Sequence, residues 1–167
     1  MKRPAHLWYL AAGLALALPI HSAFAADSTI AVSLWDKGPD SMVMDDAHMA
    51  MNGKMDMANM SMGTMGIKVD VAEVPAGNVT FNVANDSKDI IHEVILSPVP
   101  AGGADLPYVS ADMRVDEDAA GHLGEVAELE PGKSGSLTLD LAAGSYILFC
   151  NIPGHFVGGM WTLITVK

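Results

Sequence analysis

The sequence predicts an all-β chain, an antiparallel Greek-key β-sandwich of about eight strands. Three observations point there. Apolar and polar residues alternate with period two in many short segments, as a strand with one buried face requires. Clusters of Gly, Pro, Asn, Asp and Ser separate those segments, at "PAGN" (75–78), "NDSKD" (85–89), "EPGK" (130–133) and "AAGS" (142–145). No long stretch carries a convincing helical period.

Taken in order, the chain opens on a targeting segment. Lys2 and Arg3 precede an apolar run over residues 7–20, and Ala23-Phe24-Ala25 has the small-x-small form of a cleavage site. This reads as a secretory signal over residues 1–25, cleaved near Ala25/Ala26, with residues 26–167 forming one domain. The run is short for a membrane span, and no second long apolar stretch follows. A bacterial lipoprotein needs a cysteine at the cleavage point, and none is present. The expectation is a periplasmic protein with no membrane association after cleavage. The 142 residues that remain suit a single sandwich with a real core.

The strands follow. "TIAVSLW" (29–35) puts Ile30, Val32 and Leu34 on one face, and "IKVDVAEV" (67–74) does so with Ile67, Val69 and Val71. "VTFNV" aligns Val79, Phe81 and Val83, and "GSLTLDL" aligns Leu137, Leu139 and Leu141. "IIHEVIL" (90–96), "GEVAEL" (124–129), "SYILFC" (145–150) and "MWTLITV" (160–166) complete the set. Residues 101–122 read as loop with room for one helical turn. His122 reads as a surface or structural residue, and Trp161 as sandwich packing.

One segment departs from the strand pattern. Residues 39–66, "PDSMVMDDAHMAMNGKMDMANMSMGTMG", hold nine of the twelve methionines. Polar residues interrupt them, and only Val43 and Thr64 are β-branched. The segment reads as a long Met-rich insertion between the first and second strands. Thioethers select Cu(I). Met42, Met44, Met49, Met51, Met55, Met57, Met60, Met62 and Met65, with His48, therefore form a candidate secondary Cu(I) arm. Asp45, Asp46 and Asp56 offset cation charge, and oxidant scavenging by methionine is a second reading.

Loss of Lys2 and Arg3 takes the formal charge from −11 to −13. So acidic a chain is no nucleic-acid binder and is steered toward cations or basic partners. Its single cysteine, Cys150, has no internal disulfide partner in an oxidising compartment. That leaves a buried inert thiol, a link between two chains, a nucleophile or a metal ligand.

The surroundings of Cys150 favour the last. "SYILFC" ends at the cysteine, with Tyr146 and Leu148 on the same inward face. "NIPGHFVGG" then presents His155 and returns through glycines to Met160. Thiolate, imidazole and thioether on one loop suit copper. His92 in "DSKDIIHEVIL" shares the parity of Val94 and Leu96, so it faces inward from a strand able to lie beside the cysteine strand. Two His, one Cys and a weakly bound Met are the donors of a blue-copper site. Phe156 and Val157 flank His155 as a candidate exposed rim for a redox partner. With no His-x-His pair for a trinuclear cluster, multicopper oxidase chemistry is not expected; the chain reads as a one-electron redox protein rather than an enzyme, with Cu(I) oxidation left open.

"GSYILFCNIPGHFVGGMW" closely resembles the ligand loop of cupredoxins, and "VTFNVANDSKDIIHEVIL" resembles the segment that carries their first histidine. The resemblance spans about residues 66–167. It implies the cupredoxin fold and one type 1 copper, with His92, Cys150, His155 and Met160 as ligands. Many cupredoxins follow the first histidine with an asparagine that ties the two ligand segments together; here Glu93 stands in that place. "SLWDKG", the Met-rich insertion and "VDEDAAGHLGEVAELEPGKSGSLTLDL" resemble the periplasmic copper-resistance cupredoxins of the CopI type. That implies copper homeostasis and tolerance, with a soluble periplasmic electron-transfer cupredoxin as the alternative. A monomer is expected, with a redox partner docking near His155 and Phe156.

Overall fold

The computed structural model describes residues 27–38, 64–99 and 106–167. Eleven strands occur among these: β1 Ser28–Asp36, β2 Met65–Val69, β3 Glu73–Val74, β4 Gly77–Asn85, β5 His92–Pro98, β6 Tyr108–Val109, β7 Arg114–Val115, β8 Gly124–Leu129, β9 Ser134–Leu141, β10 Gly144–Phe149 and β11 Trp161–Val166. One sheet has the order β2-β1-β4-β9, the other β3-β11-β10-β5-β8, and β6 and β7 form a separate ribbon. The two large sheets face each other across one core. The all-β sandwich expected from the sequence is what forms.

Alternation does the placing. Ile30, Val32 and Leu34 of β1 pair in register with Phe81, Val83 and Asn85 of β4, and all six are buried. Across the core, Val94 and Leu96 of β5, Tyr146 and Leu148 of β10, and Ile164 and Val166 of β11 meet them. Burial of this apolar area, worth ~25 cal/mol per Å2, drives the packing.

Two details differ from the antiparallel reading. β1 runs parallel to β4, and β3 parallel to β11. The cause lies in "IKVDVAEV", expected as one strand. Asp70 Oδ1 accepts the backbone N–H of Ala31 at 2.8 Å, while the Asp70 N–H donates to Ala31 O at 3.1 Å. A side chain thus takes a donor that the ladder would otherwise use, and pairing stops. Val71 is exposed, and the chain crosses to the opposite sheet, where Thr165 N–H donates to Ala72 O at 2.9 Å. It returns to the first sheet as β4, on the far side of β1 from β2.

The segment after residue 105 is more ordered than a loop. Besides β6 and β7 it holds a one-turn helix, α1, over Glu117–Ala120. The Asp116 side chain caps it by accepting from Ala119 N–H at 3.0 Å. Leu106, Val115 and Ala120 cover the outer face of the second sheet, over Ile95, Ile147, Phe149 and Phe156. β5 and β10 are therefore buried on both faces.

The expected insertion, residues 39–66, ends earlier than its composition implied. Met65 is a strand residue, 3% exposed, paired with Asp36 of β1. It packs in the main core rather than belonging to a loop. Met42, Met44, His48, Met49, Met51, Met55, Met57, Met60 and Met62 lie outside the described residues, as do residues 1–26.

Candidate metal centre

β10 and β11 are joined by residues 150–160, and that loop is closed by its own backbone. Cys150 N–H donates to Met160 O, and Met160 N–H donates to His155 O, both at 3.0 Å. His155 N–H donates to Ile152 O, and Gly158 N–H to Gly154 O, both at 2.9 Å. Gly154 and Gly159 take φ of 84° and 94°, values that a side chain would oppose. Cys150, His155 and Met160 are buried, and Cys150 and Met160 sit in the same core cluster.

The second segment is knitted by side chains. Asn85 Nδ2 donates to Ile90 O at 2.9 Å and to Leu129 O at 2.7 Å. Ser87 Oγ accepts from Asp89 N–H at 3.2 Å and from Ile90 N–H at 2.9 Å. These bonds fix the turn that delivers His92 to the start of β5. An irregularity between His92 and Val94 in the pairing of β5 with β8 accompanies the burial of both His92 and Glu93. Because β5 and β10 are neighbours, His92 arrives beside the ligand loop.

There the donor atoms converge. His92 Nδ1 lies 3.2 Å from His155 Nδ1, which lies 3.3 Å from Cys150 Sγ. The ligand atoms of His92, Cys150 and His155 are all within 4.8 Å of one another. The imidazole rings meet edge-on, centroids 5.0 Å apart. His92 Nε2 lies 2.9 Å from Asp36 Oδ2.

Burial sets the charge states. It holds His155 down to about 4, helped by repulsion from His92, and it holds His92 below its usual value against the pull of Asp36. Both rings are neutral near pH 7, so their lone pairs are available. Burial also pushes the Cys150 thiol up to about 12. Three electron-rich atoms thus face one another in a pocket closed to water. A cation held by His92, Cys150 and His155 would satisfy all three and would favour the Cys150 thiolate. Two imidazoles, a soft thiolate and a thioether in the adjoining core suit copper, so the residues present fit a type 1 copper.

The structure brings His92, Cys150 and His155 together, with Met160 buried in the core cluster that holds Cys150. Other expectations need correction. Phe156 is no exposed rim residue: it is fully buried against Phe149 and Tyr108, with centroids 5.8 and 6.2 Å away. Val157 is half-buried against the same cluster. Glu93 does not break the tie between the ligand segments, because its Oε1 accepts the Asn151 N–H at 3.1 Å. Burial, reinforced by Glu117, Glu128 and Glu125, pushes the Glu93 carboxyl up to about 7, against the pull of that N–H.

Two participants had escaped the sequence reading. Asn151 clamps the β7 segment to the ligand loop, its Oδ1 accepting from Val115 N–H at 2.7 Å and its Nδ2 donating to Val115 O at 3.0 Å and Glu117 Oε1 at 2.7 Å. Asp36 reaches His92 from the other sheet. The one available signal was an acid at the end of an apolar strand, in "SLWDKG".

Comparison with known proteins agrees with this geometry. The chain is similar in fold to reduced rusticyanin (19% identity, 86% of this chain and 82% of the other, TM-score 0.53). It is similar to rusticyanin from Thiobacillus ferrooxidans (17%, 86% and 80%, 0.54). It is likewise similar to auracyanin B (20%, 87% and 92%, 0.53). No curated protein sequence matches significantly. The model of the sulfocyanin (SoxE) domain matches residues 42–167. With three-quarters of its length inside that match, the chain belongs to the sulfocyanin (SoxE) domain family and is a cupredoxin whose cofactor is one type 1 copper.

Proposed function

We propose that the protein is an exported one-electron carrier, working in the periplasm. His92 Nδ1, His155 Nδ1 and Cys150 Sγ hold its copper, with Met160 as the weak fourth donor. One observation carries this reading: the ligand atoms of His92, Cys150 and His155 stand within 4.8 Å of one another. Copper supplies a centre able to gain and lose one electron. The protein's part is to hold the donors still, so that little rearrangement accompanies each change. Hydrogen bonds within the loop, the Asn85 and Ser87 turn and burial supply that rigidity. A redox partner meets the ligand loop through its accessible residues, Ile152, Pro153 and Val157, rather than through Phe156. The signal-like residues 1–25 support export.

The test is repeated reduction and reoxidation of the copper-loaded protein by small inorganic reagents. Fast, reversible one-electron cycling with copper retained is expected. Release of copper on reduction contradicts a carrier.

A second reading, copper tolerance, is favoured by the nine methionines between residues 42 and 65. Here the insertion would capture Cu(I), and His92, Cys150, His155 and Met160 would store copper. Removal of residues 40–62 separates the two readings, and it spares Met65, which the fold needs. A carrier keeps its electron-transfer rate after the deletion. A copper-handling protein loses Cu(I) equivalents, and its host grows poorly on excess copper.

A further inference from the structure

We propose that Asp36 is a positioning residue of the copper centre: its carboxylate pins the proton of His92 on Nε2, presents a bare Nδ1 to Cys150 and His155, and holds the reduction potential down.

Geometry carries the argument. Asp36 is the last residue of β1, in one sheet, while His92 opens β5 in the other. Their hydrogen bond therefore crosses between the layers of the sandwich at its copper end. It is 2.9 Å long, with side-chain exposures of 0% for His92 and 1% for Asp36. A buried carboxylate needs donors, and this one has them. Gly38 N–H donates to its Oδ1 at 2.6 Å, from a residue whose φ of 99° suits glycine. Both oxygens are thus engaged, and the carboxylate cannot rotate away from the ring.

The consequence for His92 follows from the ring itself. A neutral imidazole carries one proton, and the bond made by one nitrogen decides the state of the other. A carboxylate can only accept, so Nε2 holds the proton and Nδ1 keeps its lone pair. Nδ1 is the nitrogen that lies 3.2 Å from His155 Nδ1. With the Gly38 N–H on Oδ1 and the His92 ring on Oδ2, Asp36 is placed to act as a carboxylate. A fixed negative charge one ring away from the metal favours Cu(II) over Cu(I), which lowers the potential.

The proposal rests on the copper reading of the cluster, and the experiment separates the two. In copper-free protein labelled with 15N at histidine, long-range proton–nitrogen correlations report the His92 tautomer. A proton on Nε2 is expected; a proton on Nδ1 overturns the proposal, and no variant has to fold for that result. In the copper-loaded protein, Asp36→Asn keeps the size and removes the charge. We expect one copper retained, with Cu(II) affinity falling about 10–100-fold relative to Cu(I). The potential then rises by ~59 mV per tenfold. Asp140→Asn makes the same charge change on β9, paired to the far end of β4, and leaves the potential unchanged. An unaltered potential in Asp36→Asn, or an equal rise in Asp140→Asn, overturns the role of the carboxylate. Failure of the wild-type protein to take up copper would instead sink the copper reading, while the tautomer result stands.

Discussion

Cys150 has a thiol that burial holds protonated to about 12, and a metal has to displace that proton. Ligand chemistry of this kind is specific to residue type, which is why four copper-suited side chains could be recognised from type and spacing alone. Their supports could not. Asp36 and Asn151 act through hydrogen bonds across sheets and loops, and nothing in the sequence says which of many polar residues will meet. Glu93 shows how far such reading goes: the departure from a common asparagine was visible, but the retained bond to Asn151 needed coordinates. Glu93 also gives a pH prediction. Its carboxyl titrates near 4.5 when exposed and at about 7 in the fold, so the folded chain holds a proton that the unfolded chain has released. Stability of the copper-free protein therefore falls as pH rises through that window. Glu93→Gln removes this loss. Relative to wild type, its urea-unfolding free energy gains about 1–3 kcal/mol between about pH 5 and about pH 8. A difference independent of pH contradicts the shift.

At the scale of elements, alternation located β1, β4, β8 and β9 within a residue or two, because each buries one face. It was less informative for β5 and β10, where residues 92–97 and 146–149 are buried without a break. Their second covering comes from residues 106–120, whose contribution to the core has no periodic signature. Composition misplaced the end of the insertion for the same reason. Met65 looks like one more methionine of the series, yet it is a core residue of β2 whose Sδ stands 3.2 Å from where a Cβ on Gly158 would lie. Met65→Ala should therefore cost about 2–5 kcal/mol in thermal or chemical unfolding, as a buried truncation does. A cost below about 0.5 kcal/mol, the level of a surface substitution, would contradict its place in the core.

At the scale of the whole molecule, the sandwich makes the site by topology. The end of β1, the start of β5 and the β10–β11 connection come from distant parts of the chain and meet at one end. Neither sheet alone holds the full constellation, since Asp36 lies in one and His92 in the other. Unfolding and metal loss are accordingly linked, and copper bound to the folded chain stabilises it by mass action. The fold class was legible because strand period and turn residues are local. Parallel pairing of β1 with β4 was not, because it depends on where Asp70 stops β2. The central claim is that Cys150 carries a bond to a single copper. The most direct measurement is a Cu(II) titration of the wild-type protein and of Cys150→Ser, followed by visible absorption and metal stoichiometry. One tightly bound copper with an intense thiolate-to-copper band, lost in Cys150→Ser, is the predicted result; the same band in Cys150→Ser, or copper bound without it in the wild type, would contradict the account.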